Sequence, residues 1–361
     1  MRNSISHFSF LTLFVRLVHA PSIKINIFAR IRYKLGYIEY YMKKIKFVGF
    51  LGLVLLASCS INKMAINAVS NALTGTGSAD VFTTDSDPQL VGDAMPFAIK
   101  LYETLLSQNP NHQGLLLTTG SLFIMYANAF VQGPAEMLDP IFDYQERIDG
   151  MDRAKDLYLR GYDILVSALD KKYPGFSSAK VNEGTLDPYL SRMRKDDVPL
   201  IYWTFAGGLS AYSIDMFDFE LNSKIPEWGA LMARAYELNP DFNNGAIDEF
   251  YILYYAALPE ILGGNRSLAE FHFNRSLEKS HGLTASPYVS YARVISVADQ
   301  DYDSYREKLE MALAIDPDED PSNRLVNILS QRRARHMLDT AYEYFSFLPF
   351  GNWDDNDWDD Y

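Results

Sequence analysis

Amphipathic helices that end at a proline recur along the chain, and they constrain its fold more than any other feature. Tyr162, Leu165, Val166 and Leu169 follow the i, i+3, i+4, i+7 spacing of one helix face. The same apolar stripe recurs in three further segments: Ala98, Leu101, Tyr102 and Leu105; Leu231, Ala235 and Leu238; Leu309, Ala312 and Leu313. Each stripe is followed by one of the pairs Asn109-Pro110, Tyr173-Pro174, Asn239-Pro240 and Asp316-Pro317. Because proline disfavours helical backbone at the residue before it, we expect a helix to end at each pair.

The spacing of these prolines indicates a repeat architecture. They lie 64, 66 and 77 residues apart, near twice the TPR period of about 34 residues. A helical hairpin cannot bury its apolar face alone, so neighbouring hairpins stack into a superhelix with a concave surface. We therefore predict an all-α fold, a TPR-like superhelix of helical hairpins (an α-solenoid); a generic bundle of unrelated helices is the alternative. Gly133-Pro134, Asn182 to Asp197 and Gly263-Gly264-Asn265 are predicted connecting loops.

The N-terminal region carries the pattern of a bacterial lipoprotein signal. Lys43, Lys44 and Lys46 precede the apolar run FVGFLGLVLL, which has the length of a signal-peptide core and is too short to span a bilayer. The run ends in Leu-Ala-Ser before Cys59, the only cysteine of the chain. Small residues give a peptidase access to the bond before Cys59, and the thiol takes a diacylglycerol through a thioether. Acylation of the new amino terminus would complete a stable anchor. An ordinary buried cysteine is the alternative.

These patterns divide the chain into five parts. Because Met42 stands directly before the lysines, residues 1–41 are interpreted as an upstream extension that is not part of the mature protein. A genuine long leader is the alternative. Residues 42–58 are the predicted signal peptide, and residues 59–80 a lipid-anchored tether and first helix. Residues 81–348 form the predicted superhelical domain, and residues 349–361 an acidic mobile tail.

Charge and motif content exclude several function classes. The formal net charge is −13, and after the basic leader 24 basic and 45 acidic residues remain. A surface this acidic argues against nucleic acid and against anionic lipid as partners. The sequence contains none of the metalloprotease, Walker, serine-hydrolase or dinucleotide motifs. The four histidines after Cys59, namely His112, His272, His281 and His336, lack metal-ligand spacing. We therefore expect no enzyme activity, no metal and no cofactor.

Several long stretches resemble the T-component of TRAP transporters, a family of periplasmic lipoproteins. They run from Val81 to Leu90, Pro96 to Glu103, Tyr126 to Gln132, Leu157 to Gly161, Ile201 to Trp203, Pro259 to Gly264 and Phe271 to Glu278, with Gln300-Asp301 and the helix from Leu325 to Ala334 after them. The resemblance implies a TPR-like α-superhelix, a homotrimer, and association with a periplasmic solute-binding P-component. It also implies a pore or cleft in each protomer that holds a ligand of apolar or amphipathic character.

Four aromatic residues and one histidine are candidates for the lining of that pore. Trp203, Tyr251, Tyr254 and Tyr255 would line an aromatic cavity, although plain core packing is the alternative for at least half of them. His272 lies between two phenylalanines on a predicted helix. It is either a hydrogen-bonded core residue or a pore-lining group.

Two polar residues and one turn complete the candidate sites. Asn327 and Gln331 share a helix face at i, i+4 spacing, where they would line a polar strip of the groove or tie loop backbones together. Pro259, Gly263 and Gly264 form a predicted turn that lets two helices approach closely. The function that follows is a transport accessory subunit that binds the P-component and holds or relays its ligand. A generic periplasmic TPR scaffold and a stand-alone nutrient-binding lipoprotein are the alternatives.

Overall fold

The computed structural model describes residue 30, residues 32–44, residue 46, residues 66–75 and residues 80–348. The chain divides into two compact units, Met1–Ala65 and Ile66–Tyr361. In the first unit the described residues are helical and their side chains are exposed. Cys59, most of the predicted signal peptide and the predicted mobile tail lie outside the described residues, so the anchor and the tail stay predictions.

The second unit is built from helices, and its described residues contain no strand. The ten main helices are α1 (Pro88–Gln108), α2 (Gln113–Ala127), α3 (Tyr144–Lys172), α4 (Val198–Ile214), α5 (Ile225–Leu238), α6 (Ala246–Ala257), α7 (Arg266–Lys279), α8 (Ser286–Tyr291), α9 (Tyr302–Leu313) and α10 (Arg324–Asp339). Short helical segments cover residues 66–73, Asp80–Thr83, Gly133–Glu136, Asp187–Leu190, Phe219–Asn222, Phe176–Ser178, Lys195–Asp197, Phe242–Gly245, Glu260–Leu262, Pro321–Asn323 and Ala341–Glu343. Two π-helical turns, Asn128–Gln132 and Ala292–Ser296, continue α2 and α8. The all-α prediction is confirmed, and the TPR-like repeat stays a prediction.

Three of the four predicted proline stops end a main helix at the residue before the proline. Asn109, Tyr173 and Asn239 are the C-caps of α1, α3 and α5, with ψ angles of 66°, 79° and 84°. Their shared non-helical backbone agrees with the rule that a following proline disfavours the helical conformation. The fourth helix, α9, ends earlier, at Leu313, with Ala314 as its cap.

Consecutive helices pack against one another along the chain, and the last helix returns to the first. The central hydrophobic core contains the buried side chains of Tyr158, Leu165 and Phe205. Leu325 of α10 lies in a different core cluster, together with residues of α1 and α2. Beside it, Nη1 of Arg324 donates to the carbonyl oxygen of Thr84 at 2.9 Å. The two ends of the series of helices therefore contact each other, and α2 and α10 become neighbours.

Two sequence-based expectations are wrong at the level of single residues. Gly133-Pro134 is not a loop, because both residues belong to the helical segment that directly follows the first π-turn. A π-turn shifts the hydrogen-bond pattern and so accommodates a proline that would clash with a regular helix. In α1 the core face holds Val91 and Met95, whereas Leu101 of the predicted stripe is 39% exposed.

Candidate functional site

Four of the predicted site residues meet at α6 and α7, in an aromatic cluster that we define as Tyr236, Tyr251, Tyr254, Tyr255 and His272. The ring of Tyr251 stacks on the imidazole of His272, with centroids 4.4 Å apart and an interplanar angle of 21°. On its other side Tyr251 stacks on Tyr255 at 5.3 Å and 11°. Tyr236 of α5 meets His272 edge to face at 5.6 Å. Tyr254 and Tyr255 are half-buried, so the cluster has one accessible aromatic side.

The buried ion pair of Asp248 and Lys279 orients the imidazole of His272. Oδ1 of Asp248 lies 2.7 Å from Nδ1 of His272, and Nζ of Lys279 donates to Oδ2 of the same carboxylate at 2.5 Å. Asp248 is fully buried, and the side chain of Lys279 is 6% exposed. Of the two interpretations left open for His272, its contacts support the hydrogen-bonded core residue. Burial raises the pKa of Tyr251 above its ordinary value, so this phenol stays neutral.

Among the described residues, no ring contact joins Trp203 of α4 to the aromatic cluster. Its ring meets that of Tyr202 edge to face at 5.1 Å, and it packs against the central core while remaining partly accessible. The three predicted tyrosines therefore contact one another, whereas Trp203 contacts a different ring on the same central core.

Asn327 and Gln331 tie loop backbones together, which is one of the two roles expected for them. Oδ1 of Asn327 accepts from the amide of Ala285 at 2.9 Å, and its Nδ2 donates to the carbonyl of Leu283 at 2.8 Å. Asn327 is fully buried, so it does not line a groove. Nε2 of Gln331 donates to the carbonyl oxygen of Ile315 at 2.6 Å and to that of Ala312 at 3.1 Å. These bonds satisfy carbonyls at the end of α9 that the helix itself leaves unpaired.

The predicted turn at Pro259, Gly263 and Gly264 joins α6 to α7. Gly263 has a φ of 98°, in the left-handed region that favours glycine. A Cβ at Gly264 would lie 1.8 Å from the carbonyl oxygen of Leu258, so no side chain fits there. The turn brings Asn265 to the N-terminus of α7, where its side chain accepts from the amide of Leu268 at 3.0 Å. Its geometry is that of a close connection between two helices.

A second polar site was not predicted from the sequence. We define the arginine cluster as Arg147, Arg293 and Arg333, which surround the carboxylate of Glu136. Nη1 of Arg293 lies 3.2 Å from Oε1 of Glu136, and Nε of Arg333 lies 3.9 Å from Oε2. Gln132 donates to Oε1 at 2.7 Å. Although burial opposes ionisation, the arginines and Gln132 hold the pKa of Glu136 below its ordinary value.

Both π-turns converge on the arginine cluster. Nη2 of Arg333 donates to the carbonyl oxygen of Asn128, the first residue of one π-turn, at 2.8 Å. Arg293 is a member of the other π-turn. The hydroxyl of Tyr158 donates to Oε1 of Gln132 at 2.5 Å, which holds the first π-turn against α3. Because π-turns free backbone groups and often occur at functional sites, their meeting here makes the cluster a candidate site.

Two further acidic groups lie around this centre. Glu249 of α6 accepts from the hydroxyls of Ser286 at 2.8 Å and Ser290 at 3.4 Å. Burial raises its pKa above the ordinary value. Oε1 of Glu343 is buried without a hydrogen-bond partner. In the part of the chain that the structure describes, no group of three or more His, Cys, Asp or Glu residues is arranged to hold a metal ion.

No local signal in the sequence could have revealed the arginine cluster. Glu136 and Arg293 are 157 residues apart, and Asn128 and Arg333 are 205 residues apart. Neither pair shares a helix, so periodicity carries no information about their contact.

Comparison with known proteins identifies a family whose match covers both the aromatic cluster and the arginine cluster. A family model described as the TRAP transporter T-component matches residues 84–345. An uncharacterized protein of Treponema pallidum (strain Nichols) is 34% identical over 310 residues, which cover 82% of this chain and 96% of that protein. The family match includes every residue of the aromatic and arginine clusters.

Proposed function

The chain belongs to the TRAP transporter T-component family, and on that premise we propose that it binds the solute-binding P-component and holds or relays its ligand. Family membership makes it an accessory subunit of a TRAP transporter in an extracytoplasmic location. The finer parts of the proposal are a periplasmic lipoprotein anchored through Cys59, assembled as a homotrimer. Trimerisation would raise the local concentration of docking surfaces for the partner.

The observation that carries the docking proposal is the pair of phenylalanines between α4 and α5. Phe217 is 90% exposed and Phe219 is 91% exposed. Exposed aromatic side chains that are held in place are typical anchors of protein interfaces, because little entropy is lost when they bind.

Ion pairs hold the connection that presents these side chains. Nζ of Lys155 on α3 donates to Asp215 at 2.7 Å and to Asp218 at 2.9 Å. Oδ1 of Asp218 also accepts from the amides of Glu220 and Leu221, which caps the short helix that begins at Phe219. The backbone on both sides of the two phenylalanines is therefore fixed.

The ligand-holding part of the proposal rests on the accessible side of the aromatic cluster. Tyr254 and Tyr255 offer ring surface to an apolar or amphipathic solute, and the buried Asp248 fixes the histidine behind them. Flat, neutral aromatic surface of this kind suits such a solute better than a charged one.

The test uses light scattering after size exclusion and calorimetric titration with a solute-binding P-component from the same organism. The soluble form carries Cys59→Ser, and the variant carries Phe217→Ser and Phe219→Ser. We expect a trimer that binds the P-component and a loss of at least about 2 kcal/mol in the variant, the range of interface anchors. Phe97→Ser, at a site that is 75% exposed on α1, is the matched control. A monomer that ignores the P-component would contradict the proposal and leave the scaffold alternative.

A further inference from the structure

Four apolar side chains are exposed where α3 begins. We define the α3 patch as Ile141, Phe142, Tyr144 and Ile148, which are between 37% and 87% exposed. Oδ1 of Asp139 accepts from the amides of Ile141 at 2.7 Å and Phe142 at 2.9 Å. These bonds fix the backbone of the loop before α3. The patch therefore presents its side chains at a low entropic cost of binding, as the anchors of an interface do.

One face of α3 joins this patch to the phenylalanine pair of the proposed docking surface. Tyr144, Ile148 and Lys155 follow i, i+4, i+11 spacing and so share a helix face. Nζ of Lys155 donates to Asp215 and Asp218, which hold the connection that carries the two phenylalanines. Eleven residues of helix rise about 16–17 Å. A standard interface covers about 800 Å² on each partner, about 30 Å across if round, so a single partner can contact both apolar areas.

Acidic side chains surround both apolar areas. Residues 139–156 contain six acidic and three basic residues, and residues 215–220 contain three acidic residues and no basic one. These two segments therefore carry a net charge of −6. Lys155 is paired with two aspartates, and Arg147 belongs to the arginine cluster, where carboxylates neutralise it. Arg153 is exposed, but the surface as a whole remains strongly negative.

A negative surface with apolar anchors selects its partner by charge. Residues 59–348 carry 24 basic and 40 acidic residues, a net charge of −16. Most surfaces of a second copy of this chain therefore repel the α3 patch. A partner with lysines and arginines around an apolar contact gains twice. Electrostatic attraction speeds its encounter with the patch, and the apolar contact slows its dissociation.

We propose, in an inference that rests on the proposed function, that the α3 patch is a second anchor for the P-component, which docks on it through a basic face. We define the acidic rim as Asp143, Asp149 and Asp152, all of them exposed. The apolar side chains of the patch pack into depressions of the partner's face, and the rim pairs with lysines or arginines around those depressions. The contact thus extends from the phenylalanine pair along α3 to the loop that precedes it.

The test measures association and dissociation rates of the P-component on the full Cys59→Ser chain held on a sensor surface. The patch variant combines Phe142→Ser with Ile148→Ser. Its control combines Val81→Ser with Leu90→Ser, at sites that are 72% and 58% exposed. The rim variant combines Asp143→Asn, Asp149→Asn and Asp152→Asn, and its control combines Asp303→Asn, Glu307→Gln and Glu310→Gln, which remove three exposed charges on α9. Circular dichroism checks that all four variants are folded.

We expect the patch variant to bind about tenfold more weakly than the Cys59→Ser chain, mainly through faster dissociation. The rim variant should associate about tenfold more slowly in about 0.01 M salt, where the Debye length is about 30 Å. This difference should vanish in about 1 M salt, where the Debye length is about 3 Å. Both controls should stay within about twofold of the Cys59→Ser chain.

Three results would overturn the inference and leave docking at Phe217 and Phe219 intact. They are a patch variant that binds like the Cys59→Ser chain, a control variant that loses as much as its partner variant, and a rim variant that associates faster. The last result would mean that the docking face of the P-component is acidic. A Cys59→Ser chain that does not bind the P-component at all would contradict the proposed function as well.

Discussion

Replacing Asp248 by asparagine should destabilise the protein far more than a surface substitution. The change keeps the shape of the side chain but removes the negative charge that neutralises Lys279, whose side chain is 6% exposed. Breaking a buried ion pair by removing one partner costs about 3–5 kcal/mol, because the other charge stays buried without compensation. Lys279→Met should destabilise the protein by a similar or slightly smaller amount. The carboxylate of Asp248 then loses its cation but keeps Nδ1 of His272, 2.7 Å away, as a partner.

The double variant separates the ion pair from the other contacts of the two side chains. Asp248→Asn combined with Lys279→Met leaves an amide beside a thioether, with no buried charge. We expect it to be less destabilised than the sum of the single variants by about 2–4 kcal/mol, the coupling of a close buried pair. For a domain of this size each 1 kcal/mol shifts the Tm by about 2–4 °C, so a single variant that loses about 3–5 kcal/mol should melt about 6–20 °C lower.

Urea unfolding followed by circular dichroism measures all four free energies on the soluble Cys59→Ser chain. The slope of the unfolding free energy against urea should be unchanged, because the surface exposed on unfolding is the same. Single-variant losses below about 1 kcal/mol, or a double variant equal to the sum of the two, would refute a buried, mutually dependent pair.

Four further changes test other parts of the structure. Gly264→Ala should lower the free energy of unfolding in urea by about 3 kcal/mol, because the new Cβ would lie 1.8 Å from a carbonyl oxygen. Gly184→Asn is the control, because no atom lies within 4 Å of a Cβ at that position, and it should lower the free energy of unfolding by under about 1 kcal/mol. Burial raises the folded-state pKa of Glu249, so native stability is lost as pH rises from the unfolded pKa of about 4.3 through the folded value. Glu249→Gln should therefore gain stability relative to wild type as pH rises above about 4.3, and a difference in urea midpoint that does not change with pH would contradict this. Asn327→Ala removes the partner of the buried amide of Ala285 and of the partly buried carbonyl of Leu283, and it should lose about 2–4 kcal/mol by the same measurement. Cys59→Ser should abolish incorporation of a labelled fatty acid into the expressed protein, and labelling that persists in the variant would argue against lipidation at Cys59.

Local sequence chemistry predicted the helix boundaries well where proline acts on its immediate neighbour. Asn109, Tyr173 and Asn239 are non-helical because the clash that excludes helix is between adjacent residues. The same reasoning failed at Gly133-Pro134. There a π-turn, which has no sequence signature, removes the clash.

The sequence predicted which residues belong to a candidate site, but not which contacts they make there. The tyrosines and His272 were expected to share a site, and α6 and α7 do bring them together. The partners that decide their roles, Asp248 and Lys279, are polar residues on the same helices that no spacing rule singles out. For Asn327 the partners are backbone groups of a distant loop, and only the fold reveals which loop that is.

The π-turn that follows α2 determines how far the helical segment after it is rotated about the helix axis relative to α2. A π-turn holds one residue more than a regular turn, and one residue corresponds to about 100° of rotation about the helix axis. Before Asn128–Gln132 the helix turns Leu115 and Leu122 into the core, and after it Glu136 points at Arg293. Deleting a single residue there would leave the first half of the helix unchanged, while the carboxylate would swing away from the arginines and Pro134 would clash with the regular turn before it. The direction of this carboxylate is therefore encoded in the number of residues in the helix, so insertions and deletions alter it more than substitutions do.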